Sequence, residues 1–214
     1  MTTPTPTIAN PGAFFIVDAA VAAQQAAVIR TAMTAITRHG GTLLVLNMQS
    51  RNISSVNKML PEPVALTNRR AASLVKGWPS NVTAPLSLAS LYFAQDKNPW
   101  IIAHGLTGPF VAHAQVLLHA CPTNWLAWTR KPEFLKPATV YESQRQTKTA
   151  GAALVRSDLG KGRLFLATLR LSLNDPRKRS LLRALLVNLR VADHARRNEA
   201  TRLHAPSDGP RPLK

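Results

Sequence analysis

Gly160-Lys161-Gly162-Arg163-Leu164-Phe165-Leu166-Ala167-Thr168-Leu169 sets a tight, basic, two-glycine turn directly ahead of an apolar run. Glycine tolerates the positive φ of a sharp turn because it has no Cβ. The run from Leu164 to Leu169 is almost continuously apolar, the pattern of a strand covered on both faces. Asn174-Asp175-Pro176 follows, and proline is favoured in the first turn of a helix. Beyond it, Leu181, Leu182, Leu185, Leu186 and Leu189 recur at helical spacing. The unit predicts a sheet strand over 163–169 and a covering helix over 176–190. It holds no nucleophile and no paired carboxyls, and reads as scaffold.

The start of the chain has the same grammar. Ala13 to Val17 reads as a buried strand, with Asp18 as a helix N-cap. Val21, Val28, Ile29, Ala32, Met33 and Ile36 then share one face of a helix over 19–38, which Gly40-Gly41 ends. Thr42 to Leu46 is a second buried strand. Strand, helix, glycine stop, strand is a βαβ unit, which calls for parallel strands. Residues 47–114 carry six prolines that would interrupt long elements, and read as loops and short elements inserted on the sheet. Further strands are expected at 115–119, 139–142 and 152–156. The chain thus divides into an extended Thr/Pro-rich arm (1–12), one α/β domain (13–191) and a basic, disordered tail (192–214).

Composition narrows the classes of function. The 214 residues are 45% hydrophobic and 17% charged, which suits one packed domain. A net charge of +17 invites a nucleic-acid reading. The basic residues are nevertheless scattered (Arg69-Arg70, Arg130-Lys131, Arg177-Lys178-Arg179, Arg196-Arg197), and aromatics do not interleave with them as a stacking platform requires. Arg69-Arg70 reads most simply as a solvated surface pair. The single cysteine, Cys121, excludes an intrachain disulfide framework. No charged start followed by an apolar segment reads as a leader, and no apolar run reaches the roughly 20 residues of a membrane span. The expectation for the chain on its own is cytoplasmic, although a larger, secreted parent would carry its own signal.

Several short motifs occur in a familiar order: Leu91-Tyr92-Phe93, His104-Gly105-Leu106-Thr107-Gly108, Asn124-Trp125 with Trp128, Pro132-Glu133 with Lys136, and the Gly160 strand. Together they resemble the C-terminal region of bacterial glycoside hydrolase family 2 proteins of the β-galactosidase-like kind. The resemblance covers about residues 13 to 191. It departs from the family pattern at Asn124, where aspartate is usual, and at Pro137, where threonine is usual. It implies a three-layer, flavodoxin-like sandwich of the class I glutamine amidotransferase type around a mainly parallel sheet. It does not imply glycosidase activity. The family's catalytic glutamates belong to a (β/α)8 barrel of about 250 residues, which this chain cannot contain.

Trp125 and Trp128, beside Arg130, Lys131 and Glu133, form the candidate carbohydrate or partner contact, since indole faces stack on sugar rings. Tryptophans after a strand also commonly pin loops to a core, and Trp78 and Trp100 are expected to do so. Cys121 is the candidate nucleophile of an amidotransferase-like fold, with His119 two residues away, but a buried thiol at a strand end is the simpler reading. Pro122 follows the cysteine, where a nucleophile elbow needs a backbone N–H for the oxyanion. The six histidines show no zinc-motif spacing, and no metal or cofactor is expected. The leading expectation is a non-catalytic accessory or scaffolding domain. Its partner would be a glycoside hydrolase catalytic domain or a second copy of itself. A stand-alone hydrolase using Cys121 and a basic nucleic-acid-binding module are the alternatives.

Overall fold

The computed structural model describes residues 13–93, 99–121, 128–129 and 131–203. Eight strands form one branched, mixed sheet. They are β1 (Ala13–Asp18), β2 (Gly41–Leu46), β3 (Ala65–Ala71), β4 (Leu74–Lys76), β5 (Ile102–Thr107), β6 (Gln115–Ala120), β7 (Ala152–Leu159) and β8 (Gly162–Ala167). The helices are α1 (Ala19–Gln24), α2 (Ala26–His39), α3 (Ile53–Asn57), α4 (Pro109–Ala112), α5 (Lys136–Thr147) and α6 (Pro176–Leu203).

The parallel half is the βαβ unit with the Gly160 strand added: β1 pairs with β2, and β2 with β8, in parallel. Gly160, at φ +57°, and Lys161 then reverse the chain between Leu159 and Gly162, so β7 and β8 form an antiparallel hairpin. That reversal makes the remaining half antiparallel, through β7–β6, β6–β4, β7–β5 and β5–β3. The expectation of a mainly parallel sheet therefore holds for only one half, and residues 115–119 enter the other.

Helices cover both faces, and the strands alternate between them. Leu43 and Val45 of β2, with Leu164 and Leu166 of β8, pack in one core with Ala19, Ile29 and Ile36 of α1 and α2. Leu44 and Leu46, with Phe165 and Ala167, face the other core with Leu181, Leu185 and Leu189 of α6. A period of two in a strand places its residues on opposite faces, so the run around Leu164 had to be apolar throughout.

Several elements differ from the sequence expectation. The first helix is broken at Gln25 (φ −115°, ψ 39°), and Val21 and Val28 lie outward rather than on the buried stripe. Strand β1 is an edge strand with Ile16 46% exposed, not a buried one. The middle of the chain contributes three strands, β3 to β5, rather than loops and short elements alone. The expected strand at 139–142 lies inside α5. Its β-branched and aromatic residues suggest a strand, but Pro137 suits the first helical turn. The last helix continues to Leu203, through much of the expected tail. Residues 1–12 and 204–214 lie outside the described residues.

Asp175 anchors α6. Its Oδ1 accepts hydrogen bonds from the backbone N–H groups of Arg177 and Lys178 at 3.1 and 3.2 Å, and its Oδ2 lies 3.3 Å from the Lys178 ammonium. Burial by itself would raise the Asp175 pKa, but these bonds and the Lys178 charge together hold it below the usual value. Arg177 in turn donates to the carbonyls of Ala89 and Tyr92, and Asn188 to that of Val82, which ties α6 to the 80–93 segment. Asp175→Ala removes the cap and the ion pair with the buried Lys178, with an expected cost of about 2 kcal/mol in a urea melt. A carboxyl whose pKa is lower folded than unfolded contributes stability above its unfolded pKa, near about 4, and loses it as pH falls through the lower folded value. The wild type and the variant should therefore differ at pH 7 and converge as the pH is taken well below 4.

Candidate functional site

The antiparallel half forks at Ala152, which pairs with Leu106 of β5 and with His119 of β6. One limb carries β5 and β3, the other β6 and β4. The pairing senses make β5 and β6 run in the direction of β1, β2 and β8. The carboxyl end of each limb, Thr107 and Ala120, therefore reaches the same end of the sheet, as do residues 148–152 entering β7. A cleft of about 590 Å³ lies at this fork, within the usual range for small-molecule sites.

Two glycines make the fork possible. A Cβ on Gly105 would lie 2.2 Å from the Ala150 carbonyl oxygen, so only glycine lets β5 pass the strand-entry loop at this distance. The Thr67 hydroxyl fastens the same point by donating to Ala150 O at 2.7 Å. A Cβ on Gly77 would lie 2.8 Å from the His119 imidazole, which occupies the space that the missing side chain leaves.

The ionisable groups lining the cleft are Arg69, His119 and Lys148, all basic, and Thr107 and Thr149 add hydroxyls. Arg69 lies in β3 and is 3% exposed, which corrects the reading of Arg69-Arg70 as a solvated pair; Arg70 alone faces outward. Burial lowers the Arg69 pKa, while the neighbouring Cys121 acts in the opposite direction and favours the charged guanidinium. Arginine remains a cation under such shifts. Burial likewise lowers the His119 pKa, which favours the neutral imidazole. Cys121 itself is half-buried just past β6, its N–H donating to Ser73 O at 2.9 Å. The structure thus brings Arg69 within electrostatic reach of Cys121, and both stand beside the His119 end of β6.

The indole site expected from sequence lies elsewhere. Trp125 and Arg130 are outside the described residues. Trp128 donates from Nε1 to the Lys136 carbonyl at 3.3 Å, and the Lys136 ammonium sits 5.0 Å from its ring centroid. Glu133 is exposed and pairs with Lys136. This arrangement latches Trp128 to the start of α5, and neither Trp128 nor Glu133 lines the cleft. Trp78 and Trp100, expected to pin loops, are exposed. His104 lies on β5 and His113 just beyond α4, and among the described residues no cluster of histidine, cysteine and carboxylate side chains could hold a metal ion. No helix among them is long and apolar enough to cross a membrane.

Sequence reasoning missed Arg69 because it judged the Arg-Arg pair as a unit. In a strand, adjacent residues face opposite ways, so one member of such a pair is directed inward. Compared with known proteins, the chain matches no family model, and no curated protein matches it significantly.

Proposed function

We propose that this chain is a non-catalytic accessory or scaffolding domain, related to the C-terminal amidotransferase-like domain of family 2 glycoside hydrolases. The flavodoxin-like form of that fold belongs to the same proposal. The observation that supports it most is the placement of four carboxyl groups among the described residues. Asp18 caps α1 and accepts from Asn47 Nδ2, Asp158 pairs with Arg156, Asp175 caps α6, and Glu133 pairs with Lys136. Each serves a local structural contact, and the cleft is lined by bases instead. Glycoside hydrolysis needs two carboxyls about 5–9.5 Å apart across the bond.

The test is association. If a neighbouring reading frame encodes a (β/α)8 barrel, that barrel is co-expressed with the chain and the pair is run on a size-exclusion column with light scattering; the chain is also run alone. Co-elution at a fixed ratio, or a discrete homo-oligomer, supports the scaffold reading. A strictly monomeric chain that ignores the barrel opposes it.

One arrangement favours a second reading, an amidotransferase-like hydrolase. Cys121 follows the carboxyl end of a strand, with Arg69 and His119 close by. Pro122, which has no N–H to offer an oxyanion, weighs against it.

A further inference from the structure

We propose that the cleft at the fork of the sheet is a binding site for a small organic anion, whose oxyanion head is held by Arg69, Lys148 and His119. The inference goes beyond the accessory-domain reading and does not depend on it.

Three basic residues line this cleft from three separate parts of the chain: Arg69 from β3, His119 from β6, and Lys148 from the segment between α5 and β7. Separate elements converging on one concavity distinguish a site from a solvated basic face, where charges lie side by side on one helix or loop. Arg69 is the fixed member. Its burial removes the freedom that a surface arginine must lose on binding, and its planar fork suits two-point recognition of a carboxylate or phosphate. Lys148 is exposed and can close over a ligand as a mobile point charge. Thr107 and Thr149 supply hydroxyl donors at the rim.

The remaining wall is apolar. Leu106, Val111, Val116 and Ala152 line it, so the ligand class is an oxyanion on a short hydrocarbon body. Among the described lining residues none is acidic, so nothing in the wall repels such a head group. The overall charge of +17 raises the local concentration of any anion and steers it toward the chain. That same charge would produce diffuse, non-specific binding, so the test must localise the site.

Butanoate and inorganic phosphate serve as probes, with sodium chloride at matched ionic strength as the control. Titrations are followed by amide chemical shifts in the full chain. The expected result is saturable binding of at least one probe in the millimolar range or tighter, with the largest shifts at Gly151, Ala152 and Ala120. Lys148→Ala, an exposed change that leaves the fold intact, should weaken binding several-fold. Arg69→Lys, which keeps the charge but loses the fork, should weaken it about tenfold or more. Preference for butanoate assigns a carboxylate ligand, and preference for phosphate a phosphate monoester. The proposal is overturned if neither probe saturates, if chloride gives the same shifts, if the shifts spread over the whole basic surface, or if Lys148→Ala binds as the wild type does. Should Arg69→Lys fail to fold, the Lys148→Ala result decides alone.

Discussion

Leu185→Ala is expected to destabilise the chain by about 2–5 kcal/mol, because it removes a buried leucine from the centre of the α6 face and leaves a cavity. Leu185 is 2% exposed and packs in the core that contains Leu44, Phe165 and Leu169. Its helical neighbours Leu181 and Leu189 occupy the same core, which limits how far the helix can settle into the vacated space. Val187, two residues on, is 52% exposed, and Val187→Ala should change stability by less than about 0.5 kcal/mol. Thermal melts of the two variants check the contrast. Equal losses would mean that α6 does not dock on the sheet by this stripe.

Gly105→Ala is expected to be nearly as costly, at roughly 3 kcal/mol, the upper end for overpacking. The obstacle is backbone, not a side chain that can swing away: the new Cβ would meet Ala150 O at 2.2 Å and the Gly151 Cα at 2.9 Å. To accommodate it, the 148–151 segment must move away from β5, which breaks the Thr67 bond to Ala150 and opens the cleft. A urea melt measures the cost, and faster hydrogen exchange at the Ala152 and Ala120 amides locates it. The Ala120 N–H normally donates to Gly151 O at 2.7 Å, so it reports directly on that segment. A Gly105→Ala protein as stable as the wild type would contradict the close packing at the fork.

These two positions also show what the sequence could reveal. The Leu185 stripe and the Leu164–Leu166 strand were legible because burial imposes a period, and a period is visible in one dimension. The turn at Gly160 was legible for a similar reason, since glycines mark backbone that other residues resist. Strand β3 was not legible. Ala65 to Ala71 mixes threonine, asparagine and two arginines, and its pairing with β5 comes from contacts some 40 residues apart that no local pattern encodes. The break at Gln25 was hidden for the opposite reason: the apolar spacing runs smoothly through it, yet Val21 and Val28 end outside. For α5, residue preference at Thr139-Val140-Tyr141 competed with the start signal at Pro137, and the start signal prevailed.

The site followed the same division. His119 and Cys121 attracted notice by residue type and by their spacing of two. Arg69 was legible only as half of a surface pair and Lys148 not at all, because their roles arise only when the fork brings β3 and the α5–β7 segment to the end of β6. The tryptophans attracted notice by chemistry alone, and Trp128 proved to be held in a local latch. A cluster assembled from distant segments leaves no spacing in the sequence from which it could be read.

The central claim, that this domain binds or supports but does not catalyse, is tested most directly by turnover. Wild type, Cys121→Ser and Glu133→Gln are assayed side by side at high protein concentration for release of ammonia from glutamine and of the aryl group from aryl β-glycosides. The account predicts a flat baseline for all three proteins on both substrates. Turnover by the wild type that disappears in Cys121→Ser would contradict it through a thiol nucleophile beside Arg69. Turnover that disappears in Glu133→Gln would contradict it through a carboxylate assigned here only to the α5 latch.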